Sequence, residues 1–112
     1  SMKFEIQRYL NAAHGPVKRL ELLQAMRVTM SDQTLTDRKL RKTVEEMITK
    51  DGFLIRSSEL GYSIIRTEQD LTDAMEYLTS KAESISIRKN TLLKNWRTKY
   101  KSEPVCQPLL FG

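Results

Sequence analysis

One short stretch concentrates the groups able to grip an anion. Thr36, Arg38, Lys39, Arg41 and Lys42 place a hydroxyl and four cations within two turns of any helix. A guanidinium donates two parallel hydrogen bonds, matching guanine O6 and N7 or a phosphate. An ammonium acts as a point charge on phosphate. The bland reading is a solvated helix face, which Glu45 and Glu46 just beyond support. Arg56 and Arg66 stand further on, for phosphate contact or to keep a strand edge from pairing. Catalytic chemistry finds little here. The chain has one histidine, His14, beside Gly15-Pro16, and one cysteine, Cys106. Together they do not make the usual zinc set. No glycine-rich loop is present to cradle phosphates, and Glu45-Glu46 implies no pocket. The expectation is a non-enzyme with no metal and no cofactor.

The bulk composition agrees. The 112 residues are 39% hydrophobic and 29% charged, an ordinary globular mix. The net charge is +5, which suits an anionic partner: nucleic acid first, a membrane surface second, or solubility alone. No apolar run is long enough to span a bilayer, so no membrane partner is expected. The start, Ser1-Met2-Lys3-Phe4-Glu5, lacks the apolar stretch of a secretion signal, and Ser1 reads as a remnant of tag removal. A single cysteine fits a reducing cytoplasm.

Three helices and a hairpin are expected to position the cations. Phe4–Ala13 reads as a first helix, with Ile6, Tyr9, Leu10 and Ala13 on one face and Gly15 as its cap. A second, Val17–Val28, carries a stripe of Leu20, Leu23 and Leu22 or Met26, with Val17 available for a short strand before it. Thr34-Leu35-Thr36-Asp37 reads as a capping box that opens a third helix, with Thr34 as N-cap. Leu40, Val44, Met47 and Ile48 form its apolar face. Arg38, Lys42, Glu45 and Glu46 lie opposite, with Lys39 and Arg41 on the flanks. Gly52 sits where a left-handed cap belongs. Phe53–Arg56, a turn over Ser57–Gly61, and Tyr62–Arg66 then give a hairpin.

Thr67 is the expected N-cap of a long fourth helix. Leu71, Met75, Leu78, Ala82, Ile85, Lys89, Leu92 and Trp96 follow alternating steps of four and three, a heptad seam with one polar member. Leu71, Met75, Leu78, Ile85, Leu92 and Trp96 are its candidate dimerisation residues. The competing reading packs this stripe on the first helix. An unbroken helix to Tyr100 would be about 50 Å long, more than a small domain can cover. It must project, pair with a second copy, or break, and Ser84-Ile85-Ser86-Ile87 is the expected break. From Ser102 the prolines and lost period read as an extended tail.

The residues from Asp37 to Ile65 carry a resemblance. Asp37-Arg38-Lys39-Leu40-Arg41, Val44-Glu45-Glu46-Met47, Asp51-Gly52-Phe53-Leu54-Ile55 and Gly61-Tyr62-Ser63-Ile64 resemble prophage-type and bacterial winged helix-turn-helix domains, similar to the N-terminal domain of the biotin-operon repressor. The resemblance implies that the third helix enters the major groove of duplex DNA and the hairpin serves as the wing. Glu59 near the tip departs from a phosphate-gripping wing. In the tail, Gln107-Pro108-Leu109-Leu110-Phe111 resembles the pentapeptide by which bacterial and phage replication and repair proteins bind the sliding clamp. That resemblance implies contacts by Gln107, Leu110 and Phe111, helped by Leu109, with Pro108 as a departure. The alternative docks these apolar side chains on the protein itself or on a dimer partner.

The expected fold is mainly α with a small β-hairpin, an α+β class. It divides into a winged helix-turn-helix over 3–66, a long helix over 67–101 and a tail over 102–112. The leading expectation is a phage or prophage-type replication or repair accessory factor on duplex DNA, recruited by the clamp. The alternatives are a dimeric transcriptional regulator on an operator, and an adaptor that binds protein rather than DNA.

Overall fold

The chain is seen in a computed structural model, which describes residues 1–101. The elements run α1 Met2–Ala12, α2 Arg19–Thr29, α3 Asp37–Thr49, β1 Ile55–Ser58, β2 Gly61–Ile64 and α4 Glu68–Lys99. The class is mainly α with one antiparallel hairpin and a long last helix. By compactness the chain divides into two units, Ser1–Ala74 and the residues from Met75 onward.

In the first unit, α1 to α3 and the hairpin share one core. Ile6 and Leu10 come from α1, Leu22, Leu23 and Met26 from α2, Leu40, Val44 and Met47 from α3, and Ile55 and Tyr62 from the hairpin. Leu20 is not part of it, being 63% exposed. Leu22, Leu23 and Met26 span an arc of about 100° on the helix, and Leu20 falls outside that arc. Nor does Gly15 cap α1. The cap is Ala13, in extended backbone, and its N–H bonds the Leu10 carbonyl.

Val17 does form the short strand contact. Its N–H donates to Tyr62 O at 2.8 Å, and Tyr62 N–H donates to Val17 O at 2.9 Å. This bridge leaves no space beside Gly61. A Cβ there would overlap the Val17 carbonyl oxygen, and the backbone has φ +119°. Only glycine meets both conditions without strain. The hairpin register sets Ile55 against Ile64 and Ser58 against Gly61, so the turn narrows to Glu59-Leu60. Ser57 and Ser58 belong to β1, where Ser58 Oγ accepts from Leu60 N–H at 3.2 Å.

The start of α3 lies two residues later than the sequence suggested. Asp32 takes both the N–H and the hydroxyl of Thr34, which removes Thr34 from capping. Leu35 turns into the core. Thr36, in extended backbone, is the N-cap, and its Oγ accepts from Lys39 N–H at 3.1 Å. The box signature belongs instead to α4. Thr67 Oγ accepts from Asp70 N–H at 3.0 Å, while the Asp70 carboxylate accepts from Thr67 N–H at 3.2 Å. These reciprocal bonds satisfy free donors at the helix start.

The expected break in α4 does not occur. Glu68–Lys99 is one helix of 32 residues, continuous through Ser84–Ile87. Serine and isoleucine each cost only about 0.5 kcal/mol relative to alanine in a helix. Propagation from strong helix formers on both sides offsets that cost. Ala74 is the buried residue of this helix.

Candidate nucleic-acid interface

The outward stripe of α3 follows from its buried one. Leu40, Thr43, Val44 and Met47 are buried, with Thr43 donating to the Lys39 carbonyl at 2.8 Å. At about 100° per residue, Arg38 and Lys42 then stand opposite the core, together with Glu45. All three are exposed. Among the described residues Arg38, Lys39 and Lys42 form no ion pair within 4.0 Å. Lys39 lies on the flank toward Thr34, Leu35 and Thr36. Glu46 is drawn toward α1 by Lys3, at 3.5 Å, so it leaves the outward stripe.

The other flank is organised by Asp37. One carboxylate oxygen meets Arg41 Nε at 3.1 Å, one turn along α3. The other meets Arg19 Nε at 2.8 Å, from the first residue of α2. Both arginines stay about half exposed, so their remaining donors are open to solvent. Tyr62 joins this group from the hairpin. Burial raises its phenol pKa first, and the charges of Arg19, Asp37, Arg41 and Glu45 act on it as well. The result is a surface made of the start of α2, the exposed side of α3 and Tyr62 of β2, the residue after Gly61 at the hairpin turn. Two helix N-termini lie there, those of α2 and α3, with cations beside them and the Asp37 carboxylate between.

Sequence reasoning missed Arg19 and Tyr62. Arg19 follows Pro16-Val17-Lys18 directly, and its basic neighbour was the available signal. Tyr62 carried no signal, because its place depends on the bridge to Val17.

Thr36 is brought to this surface as a cap, with its oxygen turned to backbone. Arg56 and Arg66 are not brought to it. Arg56 pairs with Ser63 on the hairpin face away from Tyr62. Both arginines line an open pocket of about 480 Å³ with His14 and Asp70, and no α3 residue borders it. Arg66 donates to the Asn11 carbonyl at 2.9 Å, and Arg56 Nε is buried with no hydrogen-bond partner. The hairpin tip presents Glu59 and Leu60, both exposed.

Elsewhere, the α4 seam is exposed, from 41% at Leu71 to 61% at Leu78 and Ile85. No helix among the described residues is long and apolar enough to cross a membrane. Among the same residues no three His, Cys, Asp or Glu side chains are grouped to hold a metal ion. Gln107, Leu109, Leu110 and Phe111, with Cys106, lie outside the described residues. Compared with protein-family models, curated proteins and solved structures, the chain matches none of them.

Proposed function

We propose that this chain is a winged-helix protein that binds duplex DNA, with α3 in the major groove. The observation that carries the reading is the outward stripe of α3. Arg38 and Lys42 stand free of ion pairs on a face opposite the core, flanked by Lys39 and by the Arg41–Asp37–Arg19 group. An α-helix fits the major groove, and Arg or Lys there can address guanine O6 and N7. Arg19 at the start of α2 is suited to the adjacent phosphate. The reading has no catalytic step, metal or cofactor, and places the protein in the cytoplasm of a bacterial or phage-infected cell.

The tail extends the proposal. Gln107, Leu109, Leu110 and Phe111 form a peptide suited to the groove of a bacterial sliding clamp. DNA binding and clamp binding together would define a phage-type replication or repair accessory factor. The exposed α4 seam favours the second reading, a homodimeric regulator that spans two half-sites of an operator.

Binding of a labelled duplex at rising salt tests the first reading. Several phosphate contacts make log K fall linearly with log salt, by about 0.9 per phosphate neutralised. No duplex binding at low salt would favour the protein-binding adaptor. Calorimetric titration into a sliding clamp, with and without Leu110 and Phe111, separates the other two. Micromolar binding lost on truncation supports the accessory factor. Its absence in the intact chain leaves the regulator.

A further inference from the structure

The α4 seam has a symmetry of its own. Leu71, Leu78, Ile85 and Leu92 occupy one heptad position, and Met75, Ala82, Lys89 and Trp96 the other. The seam reads alike from both ends. Leu71 and Trp96 are equidistant from the peptide bond between Glu83 and Ser84, and so are Met75 and Leu92, Leu78 and Lys89, and Ala82 and Ile85. Each couple joins one heptad position to the other. The helix is continuous across this centre, so the spacing is kept in space.

We propose that α4 pairs antiparallel with α4 of a second copy of this chain. The register sets Leu71 on Trp96, Met75 on Leu92, Leu78 on Lys89 and Ala82 on Ile85. This rests on the self-association in the reading above and specifies its polarity. A two-fold axis across the Glu83–Ser84 bond makes every contact reciprocal, as an isologous interface requires.

Three observations select this orientation over a parallel one. First, Lys89 is the polar member of the seam. In parallel it would face its own copy, a like-charge contact in the interface. In antiparallel it faces Leu78, along which its stem lies while the ammonium reaches water. Second, small Ala82 meets branched Ile85 at the centre, where a parallel pair would set Ala82 on Ala82 and leave a gap. Third, charge is divided along the helix. Glu68, Asp70 and Asp73 lie near its start, and Lys94, Arg97 and Lys99 near its end. The same centre relates Glu68 to Lys99, Asp70 to Arg97 and Asp73 to Lys94. Of these only Glu68 and Lys99 continue the seam, and the other two couples lie on outer positions. Antiparallel pairing therefore brings opposite signs to each end as a field, together with opposite helix dipoles. Against these, Lys81 and Arg88 flank the seam and face each other across the antiparallel pair, whereas in parallel they would face Ser86 and Leu93. This like-charge contact opposes the antiparallel direction and is outweighed by the three observations above.

The test uses the full chain with Cys106→Ser, which leaves no other thiol. Leu71→Cys and Trp96→Cys are made separately, and each is oxidised alone and as an equal mixture. Light scattering follows the mass of the parent and of each variant, starting from 13.0 kDa per chain. The expected result is a dimeric parent, with disulfide-linked dimer enriched in the mixture over either variant alone. Met75→Cys with Leu92→Cys repeats the test if the first substitutions weaken the dimer. Linkage of each variant to itself in a dimeric parent overturns the antiparallel register and keeps the homodimer. A dimer linked in no combination does the same. A parent that stays monomeric to on the order of 100 μM overturns the register and the homodimer together.

Discussion

Arg19 and Asp37 join the first residue of α2 to the first residue of α3 through a 2.8 Å ion pair. The same carboxylate holds Arg41 at 3.1 Å. A single acid thus restrains two of the cations on the proposed DNA surface while cancelling part of their field. Replacing it separates the two effects. Asp37→Asn should cost under about 1 kcal/mol of stability, as exposed pairs and first-turn charges do. Duplex affinity should rise about fivefold at low salt, one added surface charge being worth roughly 1 kcal/mol. Thermal melting and a duplex titration check both signs. Weaker binding would mean that the fixed placement of the guanidiniums matters more than their freed charge.

The capping of α3 gives a prediction confined to stability. Thr36 Oγ accepts from Lys39 N–H, whereas Thr34 is bound to Asp32. Thr36→Ala should therefore destabilise the first unit by about 1 kcal/mol. Thr34→Ala should cost less, since its loss leaves the cap of α3 intact. Chemical denaturation of the two variants ranks them. The reverse order would restore Thr34 as the cap.

Asp70 sets a dependence on acid. Hydrogen bonds from the Arg66 and Thr67 backbone, against a smaller opposing effect of burial, hold its carboxyl below the ordinary value of 3.8. A depressed carboxyl contributes stability that is complete above that ordinary value and is lost as pH falls through the lower folded one. Asp70→Asn should therefore lower stability at neutral pH and flatten the decline below about pH 4. Melting temperatures of both proteins from pH 7 to pH 2 check this. Parallel curves would remove Asp70 from the acid response, leaving other carboxyls such as Asp32, held low by Thr34.

Much of this fold is legible because local and tertiary preferences agree. The α3 face of Leu40, Val44 and Met47, Gly52 in left-handed backbone at φ +77°, and the Thr67 cap all follow from spacing and residue type. Two misread features depend, one on a competing partner and the other on helix cooperativity. Thr34 fits a cap by spacing, but Asp32 two residues earlier takes its hydroxyl. Ser84–Ile87 is weak by propensity, yet its cost is small within 32 cooperative residues. At the candidate site, Arg38 and Lys42 could be placed from helical periodicity alone. Arg19 could not, because its role depends on Asp37, which lies 18 residues along the chain and is brought near by packing of α2 on α3.

The most direct test of the central claim removes the two outward cations of α3. Arg38→Ala with Lys42→Ala changes exposed positions, so circular dichroism should match the parent. Duplex affinity is then measured from low to moderate salt. If α3 lies in the groove, affinity should fall at least tenfold. The log–log salt slope should become shallower by about 0.9 for each phosphate contact that the two cations supplied. Unchanged affinity and slope in the folded variant would contradict a DNA contact by this face of α3.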